Sequence, residues 1–152
     1  MTNKELVLSI MREQGKADAL DLRTRAPQMT GTEVINEEMK IPTYDNNKDY
    51  SMWEVGAPVI HDGQVYALLQ PYNAQSHPDT SPTTLPALWR VVHTTDASKA
   101  KPWAKPTSTS DMYLKGECMK YTDGLVYRSL RDTVYSPEEY ARDWEVVTNE
   151  LS

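Results

Sequence analysis

Side chains able to do acid–base, nucleophilic or metal chemistry are few in this chain and poorly spaced for it. The histidines are His61, His77 and His93, and none stands at metal-ligand spacing from another histidine or from the single cysteine, Cys118. A lone thiol forms no intrachain disulfide and no cysteine-cluster zinc site; its ordinary role is that of a small buried hydrophobe. His61 falls on an alternating, strand-like segment, where a structural role is expected, and His77, in Ser76-His77-Pro78-Asp79, reads as a solvated loop residue. The carboxylates are dispersed, and Glu138-Glu139, after Pro137, reads as the acidic start of a short helical turn. There is no glycine-rich phosphate loop and no Gly-x-Ser-x-Gly elbow. The expectation is a chain with no catalytic residues, no metal and no cofactor.

Aromatic stacking is the remaining chemistry. The 152 residues include nine Tyr and four Trp but no Phe. Tyr72, Trp103, Tyr135 and Tyr140 lie in loop-like segments and are the candidate ligand-binding residues, since flat rings stack on sugar rings with little entropy lost. The competing reading is that they join structural units, with Trp103, flanked by Pro102 and Pro106, tucked as a peg into a neighbouring surface.

The elements that would carry these rings begin with a helical prefix. Thr2-x-x-Glu5 forms a capping box before Leu6, Val7, Ile10 and Met11, which make one apolar stripe, and Gly15 is a plausible stop. A second short helix is expected from Ala17 to Arg23, with Ala17, Leu20 and Ala19 inward and Pro27 beyond its end. Thr30-x-x-Glu33 opens a third, through Val34, Ile35 and Met39, before Pro42. Helices this short must pack on the rest of the chain or on a neighbouring subunit.

Beyond the polar cluster Tyr44-Asp45-Asn46-Asn47-Lys48-Asp49 the texture changes, and an internal repeat follows. WEVGAPVIHDGQVYALLQ, a proline-rich loop and LWRVV are matched by YLKGECMKYTDGLVYRSLR, a shorter loop and DWEVV. Trp53 aligns with Tyr113, Gly56 with Gly116, Val59 with Met119 and His61 with Tyr121. Asp62-Gly63 aligns with Asp123-Gly124, Val65-Tyr66 with Val126-Tyr127, and Trp89 with Trp144; the second copy has one extra residue before its turn. Asp-Gly between alternating apolar runs signals a hairpin, and the closing Trp-x-Val-Val adds a third strand whose indole covers one end of the sheet. Units of this size bury little surface, so large aromatics must supply much of each core. The fold expected is therefore mainly β with an α-helical N-terminal segment and two small three-stranded antiparallel β modules in tandem. Residues 1–43 form the helical docking segment, 44–93 the first module, 94–108 a Pro/Ser/Thr/Lys linker and 109–152 the second module.

The pattern carried by Trp53, Gly56, Val59, Asp62, Gly63, Tyr66, Trp89 and Val92 resembles the small carbohydrate-binding modules of chitinases, families 5 and 12. Tyr113, Gly116, Met119, Asp123, Gly124, Tyr127, Trp144 and Val147 repeat it. With Leu69-Gln70-Pro71 and Pro86-Ala87-Leu88-Trp89 it is also similar to the version found in bacteriophage tail, baseplate and fibre proteins, where a short helical segment precedes the modules. Chitin-binding members carry two exposed aromatics after the second strand; here those places hold Leu68-Leu69-Gln70 and Ser129-Leu130-Arg131.

Charge narrows the partners. Sixteen basic residues against 22 acidic ones leave a net charge of −6, with no basic run to meet a phosphate backbone, so nucleic acid is not expected. No stretch of about 18 apolar residues suggests a membrane span, and the first residues do not read as a signal peptide. What the resemblance implies is a non-enzymatic phage virion protein of a tail, baseplate, fibre or capsid decoration. Its partners would be other virion proteins, itself as a homo-oligomer such as a trimer, and a host-surface glycan. The alternatives are a free chitin- or cell-wall-glycan-binding protein and an accessory module of a glycan hydrolase.

Overall fold

The computed structural model describes residues 2–148; Met1 and the last four residues of the expected second module lie outside the described residues. Helix α1 spans Asn3–Arg25. At its start Glu5 N donates to Thr2 Oγ1 while Thr2 N donates to Glu5 Oε2, closing the expected capping box. The helix runs through Gly15 without a break, so the expected stop there and the separate second helix are both corrected: a single glycine costs a helix only about 1 kcal/mol, too little to end it without a cap. The inward residues are Leu22 and Ala26 rather than Ala17 and Leu20, which are exposed. A 3-10 turn at Ala26–Gln28 carries Pro27, and helix α2, Gly31–Asn36, follows with the second expected capping box, Thr30 to Glu33. Val34 and Ile35 of α2 are buried, but Met39, in a 3-10 turn at Glu38–Lys40, is fully exposed.

Strands β1 (Pro58–His61), β2 (Gln64–Leu68) and β3 (Trp89–Val91) form an antiparallel sheet in that order. Val59 stands opposite Tyr66, Tyr66 opposite Val91, and Leu68 opposite Trp89. A second sheet contains β4 (Lys101–Pro102), β5 (Cys118–Lys120), β6 (Val126–Ser129) and β7 (Trp144–Val146). Here Met119 faces Tyr127, Tyr127 faces Val146, and Ser129 faces Trp144. These are the registers of the first sheet carried onto the aligned residues. The hairpin turns differ by the one extra residue. Asp62 and Gly63 both take positive φ in a two-residue turn, while Thr122-Asp123-Gly124 closes a three-residue loop in which only Gly124 is left-handed.

Three sequence expectations change. Helix covers about a third of the residues and strand about a fifth, so the chain is not mainly β. The second sheet has four strands, the fourth being β4, which pairs parallel to β5. Residues 94–108 are accordingly not a free linker: Thr94 O accepts from Cys118 N at 2.7 Å, Ala97–Lys99 form a 3-10 turn, and β4 follows. The first sheet has the same feature in reduced form, a parallel bridge of Thr43 to Ile60 with Tyr44 N donating to Ile60 O. Trp103 N donates to Lys120 O in the same manner.

Each sheet has an aromatic face. In the first module Tyr44, Tyr50, Tyr66, Tyr72 and Trp89 close around Val59 and Leu68. In the second, Tyr113, Met119 and Trp144 form the buried centre, with Trp103, Tyr121 and Tyr127 against them. The ring geometry shows that Tyr113 is the counterpart of Tyr50, not of Trp53. Tyr50 stacks on Tyr44 at 5.7 Å and meets Trp89 edge-on at 5.4 Å; Tyr113 stacks on Trp103 at 5.2 Å and meets Trp144 edge-on at 5.3 Å. Tyr50 N and Tyr113 N donate to Tyr72 O and Thr133 O, the equivalent carbonyls of the two copies. Trp53 instead lies beneath the guanidinium of Arg23, 4.4 Å from its ring, and joins the module to α1.

The preference for Tyr over Phe now has a cause. Tyr50 Oη accepts from Asp45 N, Tyr113 Oη from Ala104 N, and Tyr72 Oη from Trp89 Nε1. The rings fill the cores while the hydroxyls pin loops, and Phe would do only the first. The reverse face of the first sheet, Val65, Ala67 and Val92, is covered by Leu22, Ala26, Val34, Ile35 and Ile41. The second sheet's reverse face is narrower and apolar only at Cys118, Val126 and Val147, under Ala97. Arg128, where the first copy has Ala67, pairs there with Glu145 at 3.7 Å, so this face needs no helix.

Candidate functional site

Of the four aromatic candidates, two are core residues. Tyr72 is 8% exposed, its hydroxyl between Tyr44 Oη at 3.2 Å and Trp89 Nε1 at 2.8 Å, and burial raises its pKa above the ordinary phenol value. No ring face is left for a ligand, so Tyr72 is corrected from ligand candidate to core. Trp103 is half-buried against Tyr113 and Trp144 and occupies the position that Tyr44 holds in the first module. It is a peg, as the competing reading has it, but into its own module.

Tyr135 and Tyr140 are different. They are 49% and 40% exposed, with ring centroids 5.7 Å apart and planes tilted by 31°. Trp144 Nε1 donates to Tyr135 O at 2.9 Å, which ties the start of the loop to the core. Between the two rings, Ser136 N donates to Glu139 Oε1 and Glu139 N to Ser136 Oγ, and Tyr140 N closes the turn on Ser136 O. The expected acidic helix start is thus a single capped turn, in which Glu139 serves a structural purpose. Arg142 lies 4.8 Å from the Tyr140 ring. At the base of the loop buried Asp143 accepts from Thr133 Oγ1 at 2.7 Å and pairs with Arg131 Nε at 3.1 Å. Two half-exposed rings are therefore held on a braced loop with the Arg142 guanidinium over the Tyr140 ring, a group of aromatic and cationic surfaces able to contact a hydroxyl-bearing ligand.

Two grooves flank the module junction. One, of about 690 Å³, lies between the start of α2 and the second module and includes Met29, Arg90, His93, Met112 and Glu117. Burial raises the Glu117 carboxyl and lowers the Arg90 guanidinium, and the opposite charge of each partly offsets this. The other, of about 440 Å³, runs past Tyr66, Pro82, Pro86 and Trp103. Asp111, buried at its end, accepts from Thr107 N and Ser108 N and thereby fixes the intervening loop.

The histidines are kept apart. His61 meets Tyr44 edge-on, His77 meets Tyr72 edge-on, and His93 is buried at the junction. His93 Nε2 donates to Asp111 O at 2.8 Å and its ring stacks on Tyr113 at 3.8 Å; desolvation pulls its pKa down from 6.5 to about 4. Cys118 is buried, with Gly116 O and Thr95 O 3.7 and 3.8 Å from its sulfur. Among the described residues no group of three His, Cys, Asp or Glu side chains is placed to hold a metal ion, and no helix is long and apolar enough to cross a membrane.

Tyr135 and Tyr140 stand among the sequence candidates and Arg142 does not, although it lies only two residues from Tyr140; Arg90 and Glu117 meet from distant segments and leave no local signature. No family model matches the chain, and no curated protein matches it.

Proposed function

We propose that this chain is a non-enzymatic structural protein of a phage-type virion, assembled through its N-terminal helix and displaying two carbohydrate-binding-like modules. The observation that carries the reading is the contrast between the two parts. The modules close their own aromatic cores, while Leu6, Val7, Leu8, Ile10 and Met11 of α1 all remain exposed. Such a helix is completed by neighbours, whether other virion proteins or copies of the chain. The resemblance of the duplicated pattern to modules of tail, baseplate and fibre proteins supplies the setting. Mass spectrometry of purified particles tests it. Recovery of the chain in stoichiometric amounts is expected, and its exclusion from particles made in cells that express it would overturn the reading.

A second reading, free binding to chitin or a cell-wall glycan, is favoured by the braced Tyr135–Tyr140 pair. Retention on insoluble chitin or peptidoglycan, lost when both tyrosines are replaced by Ala, would support it. Equal retention of wild type and double variant would remove the pair from any such role.

A further inference from the structure

The duplication shows what is missing beside Arg90. On the reverse face of the second sheet, Glu145 stands directly across from Arg128 and pairs with it at 3.7 Å. Arg90 holds the place of Glu145 in the first sheet, but the residue across from it is Ala67. Its guanidinium is half-buried, burial works against its charge, and it makes no hydrogen bond or direct ion pair among the described residues. Glu117 is the converse case in the second module, a half-buried carboxylate where the first copy has Ala57. Its Oε1 accepts from Leu114 N at 2.6 Å, while Oε2 has no hydrogen-bond partner among the described residues. The two charges line one groove of about 690 Å³, near enough for each to offset the other's burial but not paired directly.

We infer that this groove binds a small zwitterion, its carboxylate on Arg90, its ammonium on Glu117 and an apolar body between them. The balance of charge favours such a ligand over a plain anion. Arg90 and Lys115 line the groove against Glu33 and Glu117, so it carries no net charge. Glu33 is engaged in the α2 capping box, where it accepts from Thr30 N, and Lys115 is exposed. That leaves Arg90 and Glu117 as the partly desolvated charges, for which a bond to an opposite charge counts most. The apolar body is matched by Met29 and Met112, both half-buried, whose flexible thioether side chains adapt to more than one shape. The volume, about 690 Å³, lies in the range that takes a small organic molecule. Amino acids and short peptides with free ends have this chemistry. In a peptide the backbone also separates the end charges, as two groups that do not pair directly require. Arg90 belongs to the first module and Glu117 to the second, so the ligand would bridge the junction between them.

Isothermal titration calorimetry of the full chain with leucine, dileucine and trileucine tests the inference and separates a free amino acid from a peptide. At least one of the three is expected to bind with a Kd below about 1 mM. Acetylating its amine or amidating its carboxylate is expected to weaken binding at least about tenfold, since either change removes one charge-assisted bond. Arg90→Gln is expected to bind the unmodified and the amidated ligand equally weakly. Glu117→Gln, which retains an acceptor for Leu114 N, is expected to lose the preference for a free amine. A purely structural role, in which the two charges only attract the modules to each other, would lower the melting temperature of both variants without any such change in ligand preference. No saturable heat from any of the three ligands at about 5 mM, equal binding of free and blocked forms by wild type, or undiminished binding in either variant would each overturn the inference. The wild-type comparison of free with blocked ligands decides the matter even where a variant fails to fold.

Discussion

Acid should loosen this molecule at the junction between its modules, and His93 is the group responsible. The imidazole is buried, donates from Nε2 to Asp111 O and stacks on Tyr113. Protonation would bury a cation away from water, with Arg90 adding a smaller repulsion, and the pKa falls from 6.5 to about 4. A base whose folded pKa is depressed contributes stability that is fully present above its unfolded pKa and is lost as pH falls toward the folded value. A depression from 6.5 to about 4 corresponds to about 3 kcal/mol in total, of which about 2 kcal/mol is gone by pH 5. Glu117, raised by burial, acts in the opposite direction, so the informative quantity is the difference between wild type and His93→Gln, which keeps a donor but does not titrate. Urea denaturation followed by tryptophan fluorescence at pH 7, 6 and 5 measures it. The variant is expected to be less stable at pH 7 and to gain about 2 kcal/mol on wild type by pH 5. Parallel stability curves over that interval would refute the reasoning.

Further predictions test the other assignments. Tyr72→Phe leaves the Trp89 indole N–H without its partner and should cost about 2 kcal/mol in the same assay, although ring size is unchanged. Trp103→Ala should destabilise the chain by about 3 kcal/mol, as a core residue does; a change within experimental error would return Trp103 to the ligand candidates. Gly31→Ala would ordinarily favour a helix, yet a Cβ there meets His93 O at 2.3 Å and Val92 Cγ1 at 3.1 Å. A loss of at least about 2 kcal/mol is expected in thermal unfolding. Replacing both Tyr135 and Tyr140 by Ala should leave the melting temperature nearly unchanged, since both rings are exposed.

Features decided by neighbours in sequence are legible in the residues alone. The capping boxes at Thr2 and Thr30 need only residues three apart, and Asp62-Gly63 and Asp123-Gly124 turn their chains because Gly relieves the positive-φ penalty. The duplication is legible because both copies solve one packing problem with the same residues, down to cross-strand registers. The extra residue in the second copy foretells its longer turn.

The rest is decided by contacts between distant segments. Residues 94–108 have the composition of a linker, but Thr94 and Lys101–Pro102 find hydrogen-bond partners in β5, so the segment becomes part of the second sheet. Trp53 and Tyr113 align, yet Tyr50 takes the equivalent place because backbone pairing to Tyr72 and Thr133, not sequence offset, determines which ring meets the tryptophan. Nor does periodicity say which face of an amphipathic helix meets its own sheet. Leu22 and Ala26 fit the reverse face of the first module, and the stripe beginning at Leu6 is left outward. The aromatic candidates divide for the same reason. The sequence determined that Tyr and Trp would dominate two small cores, and the tertiary structure decided which of those rings the cores consume.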